Sequence, residues 1–221
     1  MKNSTLTSIL LLSSVLLLSS IATQVTHAND WVLEASNNDV NVYSRNWPSD
    51  AFREIKGETT VTASMRQLVS FLQDESINTQ WVPYSGGAKV LERPDQYQTY
   101  VHFKMNAKWP FKDRDTVALF TLSQNELNNS VIIQLESAPE RINMLKDRIR
   151  IKKFSGFWEL IPQDNAQIHI TYQTHLDPGG YLPAWMSNRV AYKSTLISLS
   201  NLKKQIVNYH NVSDHFLFIQ E

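Results

Sequence analysis

The sequence predicts an α+β fold in which a long C-terminal helix lies across a curved antiparallel sheet of about nine strands and closes a hydrophobic cavity. Three observations lead to this prediction. Apolar and polar residues alternate over many short stretches between residues 40 and 176, as they do in strands with one buried face. Turn pairs such as Asn128-Asn129 separate these stretches so briefly that neighbouring strands must run antiparallel. A helical apolar stripe then occupies residues 192–206.

Residues 1–28 are predicted to be a secretory signal peptide and not part of the fold. Lys2 precedes an apolar run of 13 residues, Ile9–Ile21, and small residues follow up to Ala28, where we expect cleavage. A membrane anchor is the alternative, but 13 helical residues span about 20 Å against about 30 Å of hydrocarbon. The mature chain is therefore expected in the periplasm or outside the cell.

The composition excludes several functional classes. The 221 residues include 21 Lys and Arg and 21 Asp and Glu, and a chain without net charge lacks the broad basic field of nucleic-acid-binding proteins. The absence of cysteine excludes disulfides, thiolate metal sites and a cysteine nucleophile. His169 and His175 are six residues apart on one predicted strand, which is about 20 Å, so one metal ion cannot bridge them alone. We expect no metal, no cofactor and no nucleic acid.

The predicted strands follow from the alternation of apolar and polar residues. After the polar residues 36–39, strands are predicted over 40–47 and 52–61. Residues 96–105 alternate most clearly, with one apolar and one polar face. The remaining predicted strands are Asp115–Ser123, Ser130–Glu136, Asp147–Phe154, Phe157–Ile161 and Gln167–Leu176.

Two helices are predicted. Ser64 begins the first, because Ser64 and Gln67 have the spacing of a capping box, in which each side chain satisfies a backbone N–H group. Residues 78–87 follow it as a loop that contains Trp81. Pro183 suits the first turn of the long helix, which we expect to end near Asn208. Its apolar stripe consists of Tyr192, Leu196, Leu199, Leu202 and Ile206.

The long helix cannot fill the concave side of so wide a sheet. A helix is about 10 Å in diameter, whereas a sheet of this size is several times wider. Side chains or a ligand must therefore occupy the remaining space, and binding cavities are common in such places. The folded domain is expected over residues 29–210, followed by a tail, 211–221, that is either docked or a short strand.

Two motifs resemble those of START domains, the lipid-transfer domains related to the steroidogenic acute regulatory protein. Residues 109–117 (WPFKDRDTV) are similar to the family pattern W-P-x-x-x-R-D-x-V. Residues 175–188 (HLDPGGYLPAWMSN) are similar to the pattern D-P-G-G-x-[IL]-P-x-W-[LM]-x-N that leads into the family's last helix. The resemblance spans residues 30–208. It implies a helix-grip fold and the binding, often the transfer, of one lipid-like molecule in a hydrophobic tunnel.

The resemblance also identifies candidate ligand-binding residues. Arg114 is expected either to meet a ligand oxygen or a buried carboxylate, or to form structural hydrogen bonds with Asp115 at the start of a strand. Some relatives carry an acidic partner on the preceding strand, but residues 96–108 contain no carboxylate and offer His102 and Lys104 instead. For the apolar candidates, lining the tunnel and packing the core are alternatives, and His102 could equally be solvated. The candidates are Arg114, Trp185, Met186, His102, Phe103, Tyr172 and Trp81.

Three functional hypotheses remain. The first is an exported, non-enzymatic and monomeric carrier of a hydrophobic ligand that contacts a membrane surface transiently. The second is an enzyme similar to the aromatase/cyclases, which share the scaffold but act on cytoplasmic substrates, so the export signal disfavours it. The third is a sensor or partner-binding protein. The basic residues of 143–154 either meet anionic lipid headgroups or form a solvated edge strand.

Overall fold

The computed structural model describes residues 30–221, so the predicted signal peptide lies outside the described residues. Within that range the chain forms ten strands and three α-helices. The strands are β1 (Val32–Asn37), β2 (Val40–Arg45), β3 (Glu54–Thr62), β4 (Ser85–Glu92), β5 (Gln98–Met105), β6 (Arg114–Gln124), β7 (Val131–Ser137), β8 (Ile149–Arg150), β9 (Lys153–Gln163) and β10 (Gln167–Asp177). The helices are α1 (Met65–Gln73), α2 (Asn78–Trp81) and α3 (Ala184–Gln205).

All ten strands belong to one curved sheet. Its order is β1-β2-β3-β10-β9-β7-β6-β5-β4, and every neighbouring pair on this path is antiparallel. The two-residue strand β8 lies off the path and pairs parallel with the start of β6. The predicted α+β class, the antiparallel sheet and the long C-terminal helix are confirmed.

Helix α3 covers only part of one face of the sheet, since it packs on β1, β2, β3 and α2. A Cβ atom on Gly57 would lie 2.5 Å from Leu199 Cδ1 and 2.7 Å from Thr195 Cγ2, so a glycine is needed for this close approach. Gly57 is opposite Tyr172, which is opposite Trp158. Because directly opposed residues share a face, this register defines the face toward α3, here called the concave face. The other is the convex face.

The helix predictions hold in type and position. Ser64 caps α1 with both bonds of the capping box, and the Gln67 backbone N–H donates to Ser64 Oγ at 3.2 Å. Helix α3 begins directly after Pro183, which is its N-cap residue. The α-helical part ends at Gln205, and one 3₁₀ turn continues to Asn208.

Two elements at the start of the sheet differ from prediction. Residues 36–39 were expected to be a polar stretch before the first strand, but β1 and a tight turn occupy this region. As an edge strand β1 is held by its backbone pairing with β2, so its side chains need not alternate. The predicted loop 78–87 is instead α2 and the start of β4, and Trp81 is buried in the core.

The predicted strand over residues 147–154 is wrong in extent. β8 contains two residues, and β9 begins separately at Lys153. The expectation of a solvated edge strand here is also wrong for Arg150, which is 6% exposed and pairs with β6. Arg150 therefore belongs to the interior of the molecule.

The C-terminal tail docks on α1 and does not form a strand. Phe216 and Ile219 are buried in the core. The Gln67 side chain donates to the Tyr209 carbonyl at 2.6 Å, and Glu221 Oε2 accepts the backbone N–H of Met65 at 2.7 Å. No helix within residues 30–221 is long and apolar enough to cross a membrane.

Candidate functional site

The concave face carries apolar side chains that α3 does not fully cover. Phe103 on β5 stacks on Phe120 with ring centroids 5.8 Å apart, and Tyr172 lies 4.3 Å from Trp158. Phe103, Phe154 and Tyr172 are only partly buried against the core, whereas other concave residues of the middle strands, such as Ile170 and Leu160, are completely buried. Accessible apolar surface on the concave side therefore lies at these three side chains and does not extend over the whole middle of the sheet.

Tyr172 shows that part of this surface is sheltered. Its side chain is partly accessible, yet burial raises the pKa of its hydroxyl above the ordinary value of 10.0, with a hydrogen bond to Thr174 opposing the shift. The hydroxyl of Tyr172 is therefore desolvated, although part of the side chain is accessible.

Arg114 begins β6 on the same face. Its position opposite Met105, two residues before the pair Thr116–Phe103, places it on the concave side. The residue is 7% exposed. Its Nη1 donates to the Lys112 carbonyl, and its Nε has no partner among the described residues. Burial lowers the pKa of Arg114 and outweighs the opposing attraction of Asp113.

A second buried charged group lies on the convex face. It consists of Asp115, His102 and Arg150 and is here called the Asp115 cluster. His102 Nε2 lies 2.8 Å from Asp115 Oδ2, and Arg150 binds both carboxylate oxygens at 2.8 and 3.1 Å. Burial alone would raise the pKa of Asp115, but the hydrogen bonds from Arg150 and His102 hold the pKa below its ordinary value of 3.8. The carboxylate is therefore charged and paired at neutral pH.

Arg150 also anchors the segment that follows β7. Besides its two bonds to Asp115, its guanidinium donates to the carbonyls of Pro139, Ile142 and Asn143. All five N–H groups of the guanidinium are thereby used. The sequence prediction missed Arg150 because it lies in a basic run. The available signal was Asp115, which needs a cation if it is buried.

The structure places the predicted site residues differently. Phe103, Tyr172 and Arg114 share the concave face. His102 faces away from it and is buried against Asp115, so neither a ligand contact nor a solvated position is correct. Trp81 was expected in a loop near the cavity mouth but is buried beside Phe71 and Trp158.

The two candidates at the start of α3 differ in burial. Met186 is partly buried. Trp185 is 68% exposed, so it forms neither the expected tunnel wall nor a packing contact with the sheet.

Exposed aromatic residues gather where β6 begins and β10 ends. Trp109, in the loop before β6, is 92% exposed, and Tyr181 and Trp185, after β10, are also exposed. A Cβ atom on Gly180 would lie 2.8 Å from Ile149 Cδ1, and Ile149 is paired with Arg114 at the start of β6. The two connections therefore lie at the same end of the sheet, here called the aromatic end.

Two open clefts occur outside the space beneath α3. One, of about 460 Å³, includes His175, which stacks on Trp47 at 4.3 Å. His175 is next to Thr174, the partner of Ile55 on the concave face, so its side chain lies on the convex face. The other cleft lies at the turn between β9 and β10. Residues 30–221 contain no group of three or more His, Asp or Glu that could hold a metal ion.

Comparisons with known proteins agree with this geometry. A family model described as START domain matches residues 19–213. An uncharacterised protein of Pseudomonas aeruginosa is 26% identical over 176 residues, covering 80% of this chain and 86% of the relative.

Solved structures show the same likeness. A STAR-related lipid transfer protein from Xanthomonas axonopodis matches with a TM-score of 0.74 and 28% identity, over 80% of this chain and 98% of that one. The human StAR-related lipid transfer protein 5 matches with a TM-score of 0.71 and 16% identity, over 82% and 88% of the two chains, which concerns the fold alone.

The Asp115 cluster makes stability depend on pH in a defined direction. Because the folded-state pKa of Asp115 lies below its ordinary value, its contribution to stability is complete above about pH 4 and is lost as the pH falls through the folded pKa. We expect Asp115→Asn to be destabilised most at pH 7, and the difference from wild type to shrink below pH 4, in urea unfolding measured from pH 7 to 3.

Asp147→Asn is the matched control, because this carboxylate is 74% exposed and lies 3.7 Å from Arg148. Its effect should be within about 0.5 kcal/mol at every pH. A constant difference between wild type and Asp115→Asn down to pH 3 would contradict the assignment.

Proposed function

Because the chain belongs to the START domain family, we propose that it binds one hydrophobic, lipid-like molecule between the concave face and α3 and carries it between membranes. The observation that supports this most strongly is the partly buried apolar surface of Phe103, Phe154 and Tyr172 on the concave face. Burying a 16-carbon chain there would contribute on the order of 12 kcal/mol before entropy losses. Apolar contacts alone are therefore sufficient for affinity.

Ligand entry requires α3 to move, since this helix packs closely on the sheet. Gly179 and Gly180 precede it with φ angles of +67° and +66°, a conformation that glycine adopts easily, and they are suited to act as a hinge. Asn188 holds the first turns of the helix closed, because its side chain accepts the Arg53 N–H at 2.9 Å and donates to the Ala51 carbonyl at 3.2 Å. The pair of glycines and this latch support an opening motion at the aromatic end.

The proposed ligand contacts are Arg114, Phe103, Tyr172 and Met186, together with Trp81 at the inner end. Trp81 Nε1 is buried and has no hydrogen-bond partner among the described residues. Its N–H group would donate a hydrogen bond to a ligand oxygen. Trp185 and His102 are not part of the proposed contact set, because one is exposed and the other faces the convex side.

Export to the periplasm is part of the proposal. The signal-like residues 1–28 would deliver the chain there, and a monomeric carrier would serve lipid traffic between membranes. The cyclase-like alternative receives less support. The buried acid–base pair of His102 and Asp115 lies on the convex face, away from where a cyclase substrate would sit.

The aromatic end is the proposed site of transient membrane contact. Trp109, Tyr181 and Trp185 are exposed there, and tryptophan and tyrosine favour the interface between headgroups and acyl chains. Lys108 and Lys112 flank Trp109 in the same loop and would interact with anionic headgroups. Contact at this end would bring the opening of α3 next to the bilayer.

Releasing the start of α3 tests the proposed binding site. Asn188→Ala removes both hydrogen bonds that hold the first turns of α3 to residues 51 and 53. We expect wild type to take up a fluorescent acyl lipid to one molecule per chain, and Asn188→Ala to reach the same level at least about threefold faster.

Asn208→Ala is the matched control, because this asparagine is exposed in the turn that follows α3 and should leave the rate of uptake unchanged. Equal rates of uptake in wild type and Asn188→Ala would show that α3 does not gate the site. Failure of wild type to take up any lipid would contradict the proposed function itself.

The membrane contact predicts a separable effect of Trp109→Ala. We expect the rate of lipid transfer between anionic vesicles to fall several-fold, while the affinity for ligand in solution stays unchanged, because Trp109 is 92% exposed and is not among the proposed ligand contacts. Leu127→Ala is the matched control, since Leu127 is 96% exposed in the turn between β6 and β7 at the other end of β6. Equal transfer by the two variants would place the membrane contact elsewhere.

A further inference from the structure

Five aromatic rings from five different segments form a continuous row on the concave side of the molecule. The ring centroid of Tyr172 on β10 lies 4.3 Å from that of Trp158 on β9, and Trp158 lies 6.3 Å from Trp81 of α2. Phe71 of α1 follows at 5.5 Å from Trp81, and Tyr209, after α3, lies 5.2 Å from Phe71. This row, here called the five-ring wall, therefore connects the sheet with α1 and the segment that follows α3.

The five-ring wall is closely packed and is held by hydrogen bonds. Its three middle rings are at most 8% exposed. The Asn201 side chain on α3 donates to the Trp81 carbonyl at 3.2 Å. The Tyr209 hydroxyl donates to Asp74 Oδ2 at 3.1 Å. Because close packing and these bonds fix the rings in place, a molecule that enters from the aromatic end meets a fixed boundary here.

The concave side differs on the two sides of the five-ring wall. Toward the aromatic end, Phe103 and Phe154 are only partly buried. Toward the opposite end, Leu122 near the end of β6 is 3% exposed, and Ile219 of the C-terminal tail is completely buried. The tail is hydrogen-bonded there to Gln124, the last residue of β6. The protein's own side chains therefore fill the far side of the wall, and the partly accessible apolar side chains lie on the near side.

The distance from the five-ring wall to the aromatic end is close to the length of one lipid chain. Tyr172 precedes Asp177, the last residue of β10, by five residues, and five strand residues span about 17 Å. The hydrocarbon core of a bilayer is about 30 Å thick, so the chains of one leaflet occupy about 15 Å of it. The near side is therefore deep enough for an ordinary acyl chain and too short for a much longer one.

We propose that the five-ring wall is the floor of the ligand space and sets the maximum length of the ligand, with Trp158 as a length-determining residue. The inner end of the ligand stops at Trp158 and Trp81. This inference rests on the proposed function and specifies its ligand class: lipids whose apolar part is no longer than an acyl chain of one bilayer leaflet. Very-long-chain fatty acids and polyisoprenoid chains are excluded, because the space beyond the wall is occupied by the core.

A chain-length series with the purified mature protein tests the proposal. Saturated fatty acids of 10 to 24 carbons are compared as competitors of a fluorescent acyl probe. We expect the affinity of wild type to rise about fourfold with each added CH₂ group, up to about 16 carbons, and then to rise no further. Trp158→Leu should extend this rise by about two CH₂ groups, because the smaller side chain leaves space at the floor.

Two control variants should keep the cut-off of wild type. Phe157→Leu changes the neighbouring aromatic residue, which is opposite Gln173 and lies on the convex face. Ile219→Ala creates space on the far side of the five-ring wall. A longer cut-off in Ile219→Ala would overturn the proposal, because the ligand would then pass the wall and reach the tail.

The outcomes separate this inference from the function on which it rests. An affinity that keeps rising to 24 carbons in wild type overturns the length limit and leaves lipid binding in place. A cut-off that is the same in Trp158→Leu and wild type places the floor elsewhere and also overturns the inference. Binding of none of the fatty acids contradicts the proposed function as well.

Trp158→Phe keeps the proposal testable if Trp158→Leu does not fold. Phenylalanine retains a ring on β9 but is smaller than tryptophan, so the cut-off should move by about one CH₂ group in the same direction. A cut-off in Trp158→Phe that is equal to or shorter than that of wild type would contradict the assignment of Trp158.

Discussion

The structure depends on a mismatch of widths between one helix and one large sheet. The nine strands on the hydrogen-bonded path, about 4.8 Å apart, extend over roughly 40 Å, whereas a helix with its side chains is about 10–12 Å across. Helix α3 packs on β1 to β3. Beyond the helix, α1, Trp81 and the C-terminal tail belong to the same core, and Ile170 and Leu160 of the middle strands are completely buried in it. Side chains outside α3 therefore occupy much of the concave face, and part of its aromatic surface stays accessible.

The buried charge on one face of β6 is paired within the protein, whereas the buried charge on the other face forms no ion pair within the described residues. On the convex face Asp115 is fully paired with Arg150 and His102, and Arg150 fixes three carbonyls of the segment after β7. On the concave face, one residue earlier, Arg114 is buried with a single hydrogen bond to a carbonyl. Since consecutive strand residues point to opposite faces, the neighbouring pair Arg-Asp places one charge in a structural cluster and the other beside the proposed ligand space.

Local and periodic features of the fold are predictable from sequence. The capping box at Ser64, the strand β5 and the apolar stripe of α3 depend on residues close in the chain, and all three are present. Within β5, His102 departs from the predicted alternation because it is buried on the polar face. The two motifs at residues 109–117 and 175–188 together also identified the fold family.

The missed features depend on contacts with other elements of the structure. β1 is a strand because β2 pairs with it. Trp81 is buried because Phe71 and Trp158 pack around it. Arg150 is interior because residues 139–143 fold over it, which no local pattern in a basic run can reveal. At the site, predicting which face of the sheet Arg114 lies on requires the register between β6 and β5, in which Arg114 is opposite Met105. The exposure of Trp185 depends on the position of α3, whereas the sequence motif offered only the tunnel wall and packing on the sheet as alternatives.

Native mass spectrometry of protein purified from the periplasm, combined with organic extraction, tests the central claim most directly. We expect the mature chain to carry one lipid-sized adduct, released into the organic phase, at up to one molecule per chain. A chain that is empty, and that remains empty after incubation with acyl lipid vesicles, would contradict the claim that the concave face and α3 enclose a ligand.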